Sequence, residues 1–396
     1  MKKKKYKWLL GLVVIGILMG SVYVTWGGMD TGKSFDVDTF SQYAKKVEEI
    51  NVPADKKIIA LGEATHGNVE FQQLKLEVFQ QLVENNGVRG FALEGDYGGC
   101  REVNRYIHGG KGTAQEAVAK IGFSIYRTKE MEDLVDYMRT YNESAPEGED
   151  IRFYGFDMQR TSYSFAVVAK ACKEYGIPFS LTEDTLAKDS LESVRLSLEE
   201  SKADEDILHC VDMLLQYDKI QDLDTTEGGD LRDTYMAENV KWILQQEEAR
   251  GKERLFITGH NSHVAKWESY ASMGQQLAAD PTAAYYVIGT DFYHTKCNLP
   301  KGKSSRTLQS FYSHDPLAKT AKKAGFEECW LDFATIPDTT SLMQCANDYT
   351  FLGNLGESYT FMMRLLPQSY RMFQPPAVLY DSMILVSEAH PTTIKS

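Results

Sequence analysis

Residues 57–67 read Lys-Ile-Ile-Ala-Leu-Gly-Glu-Ala-Thr-His-Gly. The run Lys57–Leu61 shows no apolar–polar alternation, which marks a strand buried on both faces, and it passes into a glycine-bracketed Glu63 and His66. The pattern recurs along the chain. Phe91-Ala92-Leu93 ends on Glu94 and Asp96, and Phe153–Phe156 ends on Asp157. Leu255–Thr258 leads to His260-Asn261-Ser262-His263, and Tyr285–Thr290 to Asp291. Short buried-type runs separated by helix-length amphipathic segments are the strands of a mostly parallel α/β sheet flanked by helices. In such sheets the ligand crevice lies outside the carboxyl ends of the strands, so these acids and imidazoles converge on one rim. That convergence is the mark of an enzyme.

Working outward, Val69–Asn85 carries apolar residues at helical spacing and is closed by Asn86-Gly87. Helices are expected over Asp38–Ile50, Arg101–Ile107 and Glu130–Asn142. From Tyr163 to about Arg250 the sequence turns helical and charge-rich (Leu186–Ser201, Ile207–Leu223, Leu231–Gln246), which reads as a helical insertion or cap at about 163–250. Val88–Leu93, Ile151–Phe156, Arg254–Thr258, Tyr285–Gly289 and Glu328–Phe333 are the further strands. Asn298–Ser305 reads as a loop and Pro316–Ala324 as a helix. Beyond Pro337 the periodicity is weak.

The N-terminus stands apart. Five lysines (Lys2, Lys3, Lys4, Lys5, Lys7) precede the uncharged stretch Trp8–Trp26, whose 19 residues suffice to cross a hydrocarbon core of about 30 Å. The lysines keep that end cytoplasmic, which places the rest of the chain outside the cytoplasm at the cell membrane. No small-x-small cleavage site follows, so an uncleaved single-pass anchor over 1–26 is favoured over a signal peptide. A linker at 27–37 then leads into a catalytic domain at 38–396. Without the five lysines the net charge moves from −13 to −18, a body too acidic to partner nucleic acid. The six cysteines show no CxxC spacing and read as scattered buried thiols.

At the rim, Glu63 and His66 lie three apart, with glycines at 62 and 67 that permit close backbone approach and unusual dihedrals. A histidine held by a carboxylate such as Glu63 or Glu94 can take a proton from water. His260 and His263 form an HxxH pair fit for substrate contact, proton relay or metal ligation. Asp96 is either a helix cap or a substrate contact, and Asp157 either a turn former or a site residue. Tyr97, Tyr126 and Tyr163 are placed to line an apolar pocket. His108, His209, His314 and His390 read as surface residues. There is no Gly-x-Ser-x-Gly elbow, phosphate loop or GxGxxG fingerprint.

The ordered set Ile59–Glu70 (IALGEATHGNVE), Phe91–Tyr106 (FALEGDYGGCREVNRY), Phe153–Asp157 (FYGFD), Arg232-Asp233-x-x-Met236, Gly259–Lys266 (GHNSHVAK) and Met273-Gly274-Gln275 resembles the erythromycin esterase family. The resemblance runs from about Lys57 to Asp291. It implies an α/β core with a helical part that hydrolyses a macrolide lactone through histidine-activated water. By position it makes His66 the general base, with Glu63 and Glu94 as its acids and His260 and His263 as the later histidines. Arg127, in Tyr126-Arg127-Thr128, is a looser match to an Arg-Thr element. Tyr97-Gly98 departs from the Trp-Pro often found there, and the membrane segment departs from cytoplasmic resistance esterases.

The expectation is therefore a membrane-anchored hydrolase of a small-molecule ester or lactone. His66, Glu63 and Glu94 are assigned to catalysis, and His260, His263, Arg127, Asp157 and Tyr97 to substrate, with no cofactor. Two alternatives stand beside it. In one, Glu63, His66, His260 and His263 hold a divalent metal. In the other, the protein binds a ligand at the surface without turnover.

Overall fold

The apolar runs become strands that lie side by side. In the computed structural model, which describes residues 11–21, 34–301, 305–364 and 366–395, they are Ile58–Glu63 (β1), Gly90–Asp96 (β2), Arg152–Asp157 (β3), Leu255–His260 (β4) and Tyr286–Lys301 (β5). Ser305–Tyr312 (β6), Glu328–Asp332 (β7), Thr350–Gly353 (β8), Arg371–Gln374 (β9) and Ser382–Ala389 (β10) follow. The main sheet has the order β3-β2-β4-β1-β5-β10-β7, with β6 paired to β5. Every pairing from β3 to β10 is parallel, and β7 closes the edge antiparallel. The fold is thus α/β with a mostly parallel central sheet flanked by helices. All six β1 residues are buried, as the missing alternation requires.

Residues 11–21 (α1) and Val37–Tyr43 (α2) come first. Val69–Asn86 (α3), Tyr97–Ile107 (α4), Ala114–Val118 (α5) and Lys129–Ser144 (α6) follow. Next come Ser162–Tyr175 (α7), Lys188–Glu200 (α8), Glu205–Ile220 (α9) and Thr225–Ala249 (α10). Asn261–Val264 (α11), Met273–Ala279 (α12) and Pro316–Ala324 (α13) complete the set used below. Helices α3 and α6 bury Phe71, Phe79, Leu134 and Met138 on one face of the sheet with Phe91, Phe153 and Phe256. Helices α7 to α10 bury Val168, Leu191, Leu214 and Val240 on the other. Gly87, at φ 66°, ends α3 in the left-handed conformation that glycine tolerates.

Several expectations change. The helix expected over Asp38–Ile50 stops at Tyr43 and leaves a single 3₁₀ turn at Val47–Glu49. The stretch expected as a loop at Asn298–Ser305 is mostly hairpin: β5 continues to Lys301 and β6 begins at Ser305, with Cys297 and Leu299 buried between an exposed Lys296 and half-buried Asn298 and Pro300. Strand β10, beyond Pro337, lies between β5 and β7 in the sheet interior. Its Met383–Val386 run is fully apolar but only four residues long, too short to separate strand from buried helix by periodicity. All six cysteines are buried, and none is in a disulfide among the described residues.

Of the expected anchor Trp8–Trp26, residues 8–10 and 22–26 lie outside the described residues, as do 27–33 of the expected linker. Over 11–21 the chain is helical with Leu12, Ile17 and Leu18 exposed. No helix among the described residues is long and apolar enough to cross a membrane.

Candidate active site

Parallel pairing puts Glu63 at the end of β1 directly beside His260 at the end of β4. The segment after β1 is tied down on three sides. Ala64 N–H donates to Thr290 Oγ1 (3.0 Å), the Ala64 carbonyl accepts from Leu355 N (2.7 Å), and the Gly67 carbonyl accepts from Thr392 N (3.0 Å). Gly62 and Gly67 are needed for close approach: a Cβ would fall 2.2 Å from Asn261 Oδ1 and 2.9 Å from the Asn298 carbonyl. Neither has a positive φ, so of the two freedoms glycine permits there, close approach is the one this loop uses.

This loop folds His66 back onto Glu63. Nδ1 of His66 lies 2.7 Å from Glu63 Oε1, and Lys75 Nζ donates to Oε2 at 2.6 Å. Lys75 reaches it from α3, buried to 1%, and also donates to Gln72 Oε1 (3.2 Å) and the Phe71 carbonyl (3.5 Å). With Glu63 ionised, His66 carries its proton on Nδ1 and presents Nε2 as the base. Burial alone would push Glu63 up, but Lys75 and His66 override it and hold the carboxyl at about 2. Burial opposes a charged His66 ring too. Glu63 outweighs it, helped by Glu94 and Glu357, so His66 titrates above the ordinary imidazole value of 6.5.

A second centre is built around Arg232 of α10. Its Nε donates to Asp157 Oδ1 (3.0 Å), and its Nη2 to Asp157 Oδ2 (2.8 Å) and Glu94 Oε1 (2.6 Å). Arg232 Nη1 lies 3.3 Å from His263 Nε2. His263 Nδ1 sits 2.9 Å from Asp233 Oδ1, and Asp233 Oδ2 accepts from Met273 N (2.9 Å), joining α10, α11 and α12. Against its burial, Glu94 is held well below the usual carboxylate range by His263, Arg232 and His66. Glu94 and Asp233 in turn raise His263 in spite of its burial.

His260 lies between the two centres, its ring centroid 5.0 Å from that of His66 and 6.5 Å from that of His263. Its Nδ1 is 2.8 Å from Ser262 Oγ, and its Nε2 is buried without a partner. Burial, then the two neighbouring imidazoles, hold His260 down at about 3, so it is neutral at physiological pH.

The rim therefore gathers Glu63, His66, Glu94, Asp157, His260 and His263. Tyr97 does not join it. Its side chain is buried at 1%, its hydroxyl donates to Asp206 Oδ1 (2.7 Å), and its ring packs on His209 and Trp242. The register shift in β2 between Leu93 and Asp96 helps explain this, because a bulge re-aims the side chains that follow. Among the described residues no hydrogen bond or ion pair ties the side chain of Arg127 to the group, and its Nε is buried without a partner; its carbonyl accepts from Lys395 N (2.7 Å). Asp96 is a cap: it accepts from Gly98 N (3.0 Å), Tyr163 N (3.1 Å) and Ser164 Oγ (2.6 Å). Asp291 lies beside the rim but receives Gly353 N (3.0 Å) and Ser313 Oγ (3.2 Å), which ties β8 to the sheet. His209, expected at the surface, stacks on Trp242 at 3.8 Å in the core. The surface expectation had no access to Trp242, which is 33 positions away and on another helix.

Lys75, Arg232 and Asp233 carry most of the electrostatics and lie outside the set of site residues expected from the sequence. Lys75 had a signal, being a lone cation on the apolar side of an amphipathic helix. Arg232 belongs to the Arg232-Asp233-x-x-Met236 motif, yet only the packing of α10 across the strand ends reveals its partners.

A cavity of about 530 Å³ opens beside Arg232, Asp233 and His263, walled by Leu223, Tyr270 and the first turns of α10. No group of three or more His, Cys, Asp or Glu side chains among the described residues is arranged to hold a metal ion. Gly274 lets α12 pack against the backbone just after His263, since a Cβ there would fall 2.2 Å from the Val264 carbonyl. Gly274→Ala is expected to lower Tm and activity together. Wild-type values in thermal and kinetic assays would contradict this packing role.

The erythromycin esterase family profile matches residues 83–190 and 180–389. An erythromycin esterase type II of Escherichia coli is 24% identical over 350 residues, covering 72% of this chain and 82% of that protein. A crystal structure of a Bacillus cereus protein superposes with a TM-score of 0.72 at 19% identity, over 91% of this chain and all of that one. A mutant erythromycin esterase in its open conformation superposes with a TM-score of 0.55 at 13% identity, covering 86% and 92%. The two structural likenesses establish the shared fold.

Proposed function

The chain belongs to the erythromycin esterase family, and from that premise we propose that it hydrolyses a carboxylic ester or lactone with water activated at His66. The observation that supports this most is the buried Lys75–Glu63–His66 relay at a parallel-sheet rim. His66 Nε2 takes a proton from water as the water oxygen adds to the carbonyl carbon. Glu63, held ionised by Lys75, stabilises the imidazolium that forms. The tetrahedral intermediate then breaks its carbon–oxygen bond, and the imidazolium proton goes to the leaving alkoxide. Glu94 is too acidic to donate a proton. Its role is to brace Arg232 and His263 and to raise the basicity of His66. The cavity at His263 takes the substrate, and a macrolide lactone is one candidate.

Incubating the full-length chain with a panel of lactones, aryl esters and erythromycin, followed by mass spectrometry, tests the reading. Gain of one water by at least one member is expected. Saturable binding with no hydrolysis across the panel would favour the ligand-binding alternative. Lys75 and Arg232 supply positive charge where the metal alternative would need an ion, so turnover should survive exhaustive chelation. Loss on chelation, restored by a divalent ion, would point to the metal.

The pH profile separates the histidines. With His66 as base, kcat/KM should climb with pH and reach half its plateau above 6.5, because the raised ring is protonated and inactive below that point. Glu63→Gln should move the limb to lower pH. A rate flat between pH 5 and 8 would instead assign the base to His260, which is neutral throughout that range.

We also propose that Lys2–Trp26 anchors the protein in the cell membrane with its body outside the cytoplasm, on the lysine–apolar pattern of the sequence. The full-length chain should resist carbonate extraction. A soluble species beginning near Gly27 in the medium would refute an uncleaved anchor.

A further inference from the structure

We propose that Tyr126 is a catalytic residue: its hydroxyl donates a hydrogen bond to the ester carbonyl oxygen as that oxygen becomes the tetrahedral oxyanion. The assignment rests on the hydrolase reading and adds the group that reading lacks. A base and a water account for attack, but nothing yet named receives the charge that develops on the carbonyl oxygen.

The two cations that bond directly to the rim acids, Lys75 and Arg232, are already engaged, while among the described residues the buried Nε of Arg127 has no partner and makes no bond to those acids. Lys75 directs its ammonium to Glu63, Gln72 and the Phe71 carbonyl. Arg232 is spread over Asp157, Glu94 and the edge of His263. Tyr126 is different. It sits on the 3₁₀ turn Ser124–Tyr126 just before α6, is 0% exposed, and buries its hydroxyl without a hydrogen-bond partner. Its ring lies 6.0 Å from Lys75 Nζ, one side chain away from the Glu63–His66 pair. Burial, then Glu63, Glu94 and Asp157, hold its pKa well above 10, so the phenol keeps its proton and stays a donor.

An unpaired buried hydroxyl is rare in folded proteins and calls for an explanation. Phenylalanine would fill the same space without that penalty. Among the other buried polar atoms without a partner are Thr258 Oγ1 and His260 Nε2, two residues apart at the end of β4. Tyr126 thus supplies a protonated donor beside the Lys75–Glu63–His66 relay, held in a water-poor setting where such bonds are strongest.

The test uses the full-length chain, phenyl acetate as substrate and phenyl methylphosphonate as a stable anion shaped like the intermediate. Tyr126→Phe should lower kcat by about 10²–10³-fold, the usual cost of losing one oxyanion donor. It should weaken phosphonate binding in parallel and leave Tm unchanged or higher, because the lost hydroxyl had no partner. Wild-type kcat and phosphonate affinity in Tyr126→Phe would overturn the assignment, and a lowered Tm with unchanged kcat would show a structural hydroxyl instead. If Tyr126→Phe does not fold, 3,5-difluorotyrosine at 126 keeps the shape and changes phenol acidity, and an unchanged kcat there would also overturn it. Failure of the hydrolase reading looks different: the wild-type chain would then hydrolyse no ester in the panel and bind no phosphonate, and Tyr126 would fall with it.

Discussion

His66→Ala is expected to remove nearly all turnover while leaving the protein folded. A positioned general base contributes about 10²–10⁴-fold, and the loss should reach that range. The fold should survive because Glu63 keeps its second partner. With the imidazole gone, Lys75 Nζ still lies 2.6 Å from Glu63 Oε2, so no buried carboxylate is left uncompensated. Glu63→Gln differs in kind. It leaves the Lys75 ammonium buried opposite a neutral amide and should cost stability as well as rate. Turnover by His66→Ala at more than about a tenth of wild type would fall outside the range for a general base and would remove His66 from that role.

Arg232→Met should have the largest effect on stability. Arg232 is the shared counter-ion of Asp157, whose side chain is fully buried, and Glu94, which is nearly so. Methionine fills comparable space but leaves both carboxylates without their cation. Removing one partner of a buried ion pair typically costs about 3–5 kcal/mol, and two acids share this one. Arg232→Lys should recover only part of the loss, since a single ammonium cannot reproduce the fork that reaches both acids. The double variant Asp157→Asn with Arg232→Met should be less damaged than the two single losses combined, because it removes the charges together. A melting temperature for Arg232→Met equal to wild type would show that the guanidinium does not hold the rim.

How much of this was legible in the sequence depended on distance along the chain. Strands β1 to β4 could be read because each is buried on both faces and so lacks alternation. Pro316–Ala324 was placed to the residue, with proline in its first turn and glycine after its last. Strand β10 was lost because four apolar residues after a weakly patterned stretch look the same in a strand or a buried helix. The β5–β6 hairpin looks like a loop in sequence because Pro300, Lys301 and Gly302 mimic turn chemistry, while burial at Cys297 and Leu299 depends on what packs over them. Six of the eight candidate site residues meet at the rim, since strand-end position depends on topology alone. Tyr97 was misplaced because the shift in β2 turns the chain just before it. Lys75 and Arg232 were missed because a charged helical residue looks solvated until the packing of its helix is known.

The most direct test of the central claim is a single turnover with enzyme in excess over phenyl acetate in ¹⁸O-labelled water, with both the product acid and the intact protein weighed. Attack by water activated at His66 predicts one ¹⁸O in the acetate, none in the phenol, and an enzyme mass that never changes. A first-turnover acetate without label would instead show attack by an enzyme carboxylate such as Glu63 or Glu94, and an acyl adduct on any serine, threonine or cysteine would show a covalent route. Either result would contradict the account.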